Sequence, residues 1–129
     1  MNTPKIVLLL EGQGMRQIMI PAFAIKIPSI TVLPTVNTED GLKLIRSNIK
    51  IDLVITNLGE IPENGGPTKG LTILKEARKY RPGLAVVVLT GGQNRLPNGY
   101  PADAFLRKSE AFVKLEFFLA TITELLEAS

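Results

Sequence analysis

Four polar residues stand within two positions of the end of a short apolar run, and their types limit the chemistry available. They are Glu11, Asn57, Thr90 and Lys108. A carboxylate can hold a cation or move a proton, an ammonium can bind an anion, and an amide offers only neutral hydrogen bonds. Because Glu11 has no second acid or base beside it in the sequence, we find no catalytic pair here.

The composition excludes several classes of protein. Among the 129 residues there is no Cys and no His, which rules out a disulfide framework, thiol catalysis and any Ser-His-Asp or Cys-His enzyme. Hydrophobic residues make up 45% and charged residues 21%, as in an ordinary globular protein, so one domain over 1–129 is expected. The net charge of +3 is too small to imply nucleic-acid binding, and no apolar run could span a membrane. We therefore expect a cytoplasmic protein with neither kind of partner.

Five apolar runs alternate with helical patterns along the chain. Such short runs predict buried strands, and they are Lys5–Leu10, Ser29–Leu33, Asp52–Thr56, Leu84–Leu89 and Ala102–Leu106. Helical spacing predicts four helices, at Met15–Lys26, after the N-cap Thr38, at Gly70–Tyr80, and from the N-cap Ser109 to about Leu126. Pro21 should kink or shorten the first helix, and Pro34 should close the second strand.

This alternation predicts an α/β fold. Strands separated by helices form a parallel sheet covered on both faces, and five strands fit the flavodoxin-like order 2-1-3-4-5 in a three-layer α/β/α arrangement. The segment 58–69 contains Gly and Pro breaks and predicts a long loop. Gly91–Pro101 is equally poor in helix formers, so the helix between the fourth and fifth strands should be short or absent. Ligands of such folds bind at the carboxyl ends of the strands, where the four polar residues fall.

The ends of the last three strands carry a series of motifs. The third strand ends at Asn57, the fourth ends at Thr90, and the fifth contains Phe105 and is followed by Lys108. In this order the motifs resemble the receiver domains of response regulators in two-component phosphorelay systems. The resemblance implies that Asn57 occupies the position of the phosphate-accepting Asp and Thr90 that of the Thr or Ser switch residue. It also implies that Phe105 is the aromatic rotamer-switch residue and that Lys108 is the Lys that contacts the phosphoryl oxygen in receiver domains.

The departures from this pattern are as informative as the matches. Where the family has two adjacent acidic residues that help to hold Mg²⁺, this chain has Glu11-Gly12, and Asn57 replaces the acceptor Asp. An amide cannot form an acyl phosphate. Mg²⁺ prefers several anionic oxygens, so we expect no cofactor and at most weak Mg²⁺ binding at Glu11, Asn57 and the Gly59 carbonyl. The chain therefore resembles a degenerate pseudo-receiver, in which Lys108 pairs with Glu11 or with the Asn57 amide oxygen.

The apolar surface of the last helix and the cationic side of the third helix each have two interpretations. In the last helix Leu115, Leu119, Ile122 and Leu126 form a stripe with Phe112 that should face the sheet. The wider apolar surface is either buried or a partner surface, composed of Phe112, Val113, Phe117 and Leu125. The cationic side of the third helix is either a solvated face or a site for an acidic or nucleic-acid partner, and it carries Lys75, Arg78, Lys79 and Arg81.

Two functions remain after these exclusions. The resemblance implies a signalling module, not an enzyme, that binds a protein partner without phosphorylation at Asn57. That partner would be a histidine kinase, a downstream signalling protein or a second copy bound through the last helix. The alternative is a small-molecule-binding protein or enzyme of the same fold that uses the enlarged loop 58–69. A deep apolar pocket beside that loop would favour the alternative, and an apolar patch on the last helix would favour the module.

Overall fold

The computed structural model describes residues 4–35, 37–59, 68–91 and 102–128, apart from the side chains of Gln13 and Phe112. Strands and helices alternate along these residues. The strands are β1 (Lys5–Leu10), β2 (Ile30–Thr35), β3 (Leu53–Asn57), β4 (Ala85–Thr90) and β5 (Ala104–Arg107). The helices are α1 (Gln13–Lys26), α2 (Thr38–Arg46), α3 (Lys69–Tyr80), α4 (Lys108–Val113) and α5 (Leu115–Ala128).

The five strands form one parallel sheet in the order β2-β1-β3-β4-β5, as predicted. The central strands β3 and β4 are apolar up to their carboxyl ends, as expected for strands that helices cover on both faces of the sheet. Side chains of one face pack with α1 and α5, for example Leu9 with Phe23 and Ile122. The other face packs with α2 and α3. The described residues between β4 and β5 contain no helix. The helix that was predicted to be short or absent there falls almost wholly on residues 92–101, which lie outside the described residues.

Two prolines and a helix start differ from the predictions. β2 continues through Pro34 to Thr35, because β2 is an edge strand and the missing N–H of proline removes no essential ladder bond there. α1 runs through Pro21 to Lys26 without ending early. The N-cap of α2 is Asn37, not Thr38, since the Asn37 side chain accepts the Asp40 N–H at 2.8 Å.

The last helix is broken in two, which the sequence reasoning did not anticipate. α4 begins at Lys108 behind the N-cap Arg107, so Ser109 is not the cap. The chain leaves helical geometry at Lys114 (φ −117°, ψ 53°), and α5 begins at the next residue. This break turns the two segments into separate helices that each pack against the sheet with their own face.

Two aspartates extend the sheet at its amino edge. Asp52 precedes β3, and its Oδ2 accepts the Ile6 N–H of β1 at 2.7 Å. Asp103 precedes β5 and accepts the Val86 N–H of β4 at the same distance. Each carboxylate thereby satisfies a backbone donor at the start of a buried strand, where an unpaired N–H would be costly.

Candidate functional site

The carboxyl edge of the sheet brings the four predicted polar residues onto one side of the molecule. Leu10 pairs with Thr56, so Glu11 lies beside the end of β3 that carries Asn57. Thr90 ends β4 opposite Arg107, and Lys108 is the next residue. Thr90 is buried. The register of a parallel sheet thus places Glu11, Asn57, Thr90 and Lys108 along a single edge.

A buried ion pair joins the outer two of these positions. Lys108 Nζ lies 3.2 Å from Glu11 Oε1, and the Glu11 side chain is 0% exposed. Since β3 and β4 lie between β1 and β5, the pair spans the strand ends that carry Asn57 and Thr90. Burial raises the pKa of the Glu11 carboxyl above its usual value, while Lys108 and the Gly12 N–H lower it again in part.

One oxygen of the same carboxylate is left without a partner. Glu11 Oε2 is buried and accepts no hydrogen bond from any described residue. A buried carboxylate oxygen in this state is costly, because desolvation is not repaid by a donor. Lys108 therefore neutralises the charge of Glu11 without saturating its hydrogen-bonding capacity.

Asn57 makes a local turn after β3. Its Oδ1 accepts the Gly59 N–H at 3.2 Å, and Gly59 has φ +82°, a conformation that favours glycine. Gly70 of α3 packs so closely on Leu58 and the Asn57 carbonyl that any larger residue would overlap them. The amide of Asn57 is thus tied to its own loop, and Lys108 pairs with Glu11 instead.

A cavity of about 240 Å³ opens beside this loop. Its lining includes Glu11, Gly12 and Asn57, but, among the described residues, neither Thr90 nor Lys108. The sequence reasoning missed its other polar lining residues, which are Thr56 of β3 and three residues at the starts of helices, Asn37, Thr38 and Lys69. These three stand where α2 and α3 begin, and helices that follow parallel strands begin at the carboxyl edge, so the topology alone could have pointed to them.

Solved structures similar to this chain include receiver domains of response regulators. A receiver domain protein from Methanospirillum hungatei JF-1 is 22% identical, with a TM-score of 0.73 over 96% of this chain and 94% of its own. One from Clostridium thermocellum is 27% identical, with a TM-score of 0.68 over 96% and 94% of the two chains. The complex of histidine kinase ThkA with response regulator TrrA matches 95% of this chain and 98% of its own, at 22% identity and a TM-score of 0.69; TrrA is from Thermotoga maritima.

The chain has the fold of a response regulator receiver domain. No protein-family model matches it, and none of the curated proteins does. Phe105, the residue compared with the receiver's aromatic switch, is half-buried and packs against the apolar residues between the sheet and helices α2 and α3. None of the described helices is long and apolar enough to cross a membrane.

The receiver fold implies a Mg²⁺ site at this edge, and the residues present fit it poorly. Within the described ranges no three acidic, His or Cys side chains form a cluster that could hold a metal. Among the described residues, Glu11 is the one carboxylate that lines the cavity, and its Oε1 already accepts from Lys108. Asn57 Oδ1 is occupied by the Gly59 N–H. A hard divalent cation would find mainly neutral oxygens here.

A second depression lies at the break between α4 and α5. It has a volume of about 360 Å³, and apolar residues Leu106, Ala111, Phe117 and Phe118 line it together with Glu110, Lys114 and Glu116. Val113 and Phe117 are 82% and 62% exposed. Leu125, assigned to the same surface from the sequence, is half-buried and packs against the core, because it lies nearer the sheet-facing side of α5. The side chain of Phe112 is outside the described residues.

Proposed function

We propose that this protein is a receiver-like signalling module that acts by protein–protein contact and is not phosphorylated at the usual position. The observation that carries the proposal is Asn57 at the end of β3, the position at which receiver domains present their acceptor Asp. An amide is neutral and its nitrogen lone pair is delocalised, so Asn57 cannot act as the nucleophile toward a phosphoryl donor.

The charges around Asn57 support the same proposal. Phosphoryl transfer needs a cation to neutralise the phosphoryl oxygens, and in the part of the chain that the structure describes, Glu11 is the one anionic ligand that the cavity offers Mg²⁺. The ammonium of Lys108 is already paired with that carboxylate. We infer that the ion pair holds the pocket in one fixed state, where a working receiver would alternate between two.

The partner would be a histidine kinase or a downstream signalling protein. A receiver-fold regulator bound to a histidine kinase is among the similar structures. The exposed Val113 and Phe117 supply apolar area of the kind that marks interaction sites. The same surface would serve a homodimer built through the last helix. We place this activity in the cytoplasm.

The small-molecule alternative has weaker support. A deep apolar pocket beside the loop 58–69 would favour this alternative. Residues 60–67 of that loop lie outside the described residues. The cavity at the near end of that loop is lined mostly by polar and charged residues and holds about 240 Å³, a volume below the usual range for ligand pockets. The apolar surface on Val113 and Phe117 is the feature that favours the module.

Incubation with acetyl phosphate and Mg²⁺, followed by mass spectrometry of the intact protein, tests the absence of phosphorylation. The mass of the wild type should not change. Asn57→Asp alone should gain little phosphate, because Gly12 still lacks a carboxylate, whereas Gly12→Asp with Asn57→Asp should gain more. A stoichiometric, hydroxylamine-labile phosphoryl group on the wild type would overturn the proposal.

A further inference from the structure

Basic residues are concentrated at one end of the molecule, away from Asn57. The segments 43–50 and 75–82 hold seven of the 15 Lys and Arg residues and one of the 12 acidic residues. Their net charge is +6, whereas the rest of the chain sums to −3. Both segments include the carboxyl end of a helix, α2 or α3, and such ends lie at the amino edge of a parallel sheet. Asp52 and Asp103 lie at the same edge and form ion pairs with Lys50 and Arg78, so the local charge is +4. We call these two segments together the basic end.

The two segments are locked to each other. Arg46 forms an ion pair with Glu76 at 3.2 Å. The Arg81 guanidinium donates to the Ile45 and Ser47 carbonyls at 2.9 and 2.7 Å, and so caps the end of α2 from the end of α3. The basic end is therefore a preformed surface, and binding there would need little ordering of the backbone.

Several cations of the basic end are not consumed by these contacts. Lys43, Lys75 and Lys79 are exposed, and in the described part of the chain no carboxylate forms an ion pair with any of them. Like charges held on one rigid face repel one another, and a ligand of opposite charge relieves that repulsion. The charge of the surface thus specifies an anionic partner.

Apolar groups are interspersed among these cations. Tyr80 and Ile49 are 47% and 45% exposed. Arg46 and Lys79 lie 5.7 and 5.3 Å from the centre of the Tyr80 ring. Because these cations already lie against the ring, it is not a free platform for a nucleotide base. An acidic polypeptide that also carries apolar side chains complements both the cations and the exposed Ile49 and Tyr80.

We propose that the basic end binds an acidic segment of a partner protein, in which Asp or Glu residues alternate with apolar ones. The basic end is separate from the cavity lined by Glu11 and Asn57 and from the depression lined by Phe117 at the break between α4 and α5. A partner held there would leave both of those sites accessible. The proposal does not depend on whether the protein is phosphorylated.

Fluorescence anisotropy with a labelled peptide of alternating Glu and Leu or Phe residues tests the proposal. The wild type should bind this peptide, and affinity should fall as salt rises from about 0.05 to 0.5 M, where the screening length shortens severalfold. The double charge reversal Lys43→Glu, Lys79→Glu should weaken binding by about tenfold or more. Both lysines are exposed, so folding should survive, and circular dichroism checks this.

The matched control is Lys26→Glu with Arg107→Glu, which changes the net charge equally on exposed residues outside the basic end. The control should bind as tightly as the wild type. An equal loss in the control would overturn the proposal, because it would show that the net charge of the protein, and not the basic end, determines binding. Failure of the wild type to bind the peptide would also overturn it. Tighter binding of duplex DNA of equal charge would replace the acidic protein segment with nucleic acid.

Discussion

Lys108 and Glu11 form an ion pair of 3.2 Å between the first residue of α4 and the residue that follows β1. Glu11 is fully buried and Lys108 is about three-quarters buried. A charge in this position is tolerated only when its partner is present, because desolvation is offset by the attraction and by the hydrogen bond. Because the two charges are in direct contact, their energies of substitution should be coupled.

Substitution of Lys108 should destabilise the protein, and the loss should depend on Glu11. Lys108→Met should lower the free energy of unfolding by about 1–3 kcal/mol, since it leaves a buried carboxylate unpaired. Glu11→Gln with Lys108→Met should lose less than the sum of the single substitutions, because neither charge is then stranded. Urea denaturation of the four variants measures this coupling. Additive losses would show that the pair does not interact and would remove the fixed-pocket interpretation.

Glu11 should also give the stability a particular pH dependence. Burial raises its folded-state pKa above the ordinary value of 4.5, so the folded state binds a proton that the unfolded state has already released. Its contribution to stability is therefore fully present below about pH 4.5 and is lost as the pH rises through the raised folded-state value. As the pH rises through this range, the wild type should lose stability relative to Glu11→Gln, because the glutamine side chain does not titrate. Urea titrations at several pH values would show a constant difference if the prediction is wrong.

Gly70 should not tolerate a side chain. A Cβ at this position would overlap the Asn57 carbonyl oxygen and lie 2.6 Å from Leu58 Cα, both of them backbone atoms that cannot rotate away. Gly70→Ala should therefore cost about 1–3 kcal/mol. Gly14→Ala is the matched control, because a Cβ there meets nothing within 4 Å and alanine favours helix. Thermal unfolding of both variants decides the matter, and equal midpoints would contradict the prediction.

Two adjacent phenylalanines of α5 should behave oppositely. Phe118 is 1% exposed and its ring centre lies 6.3 Å from that of Phe23, so Phe118→Ala should cost about 3–5 kcal/mol. Phe117 is 62% exposed, and Phe117→Ala should change stability by no more than about 0.5 kcal/mol. Analytical ultracentrifugation of the Phe117 variant then reports whether the exposed ring supports self-association. A large stability loss at Phe117 would show that it is part of the core.

The strand pattern and the chemistry at Asn57 could be predicted from the sequence alone. Five apolar runs separated by helical patterns leave few topologies, because crossovers are right-handed and parallel strands need helices between them. The identity of Asn57 excludes acyl phosphate formation in any fold. Boundaries were harder. The predicted order already put β2 at an edge of the sheet, where proline is tolerated, yet Pro34 was expected to end the strand, which continues to Thr35.

Side-chain partners were decided by the tertiary structure. Lys108 had two possible acceptors in the sequence, and the sheet register brought it to Glu11 while a local turn engaged Asn57. Arg81 looked like one cation of a solvated face, yet it caps α2, an interaction across 36 residues that no local pattern contains. Phe117 and Phe118 differ in exposure because the chain breaks at Lys114 and sets the rotation of α5. Local periodicity predicts which elements form, whereas contacts between elements depend on how those elements are rotated and packed in three dimensions.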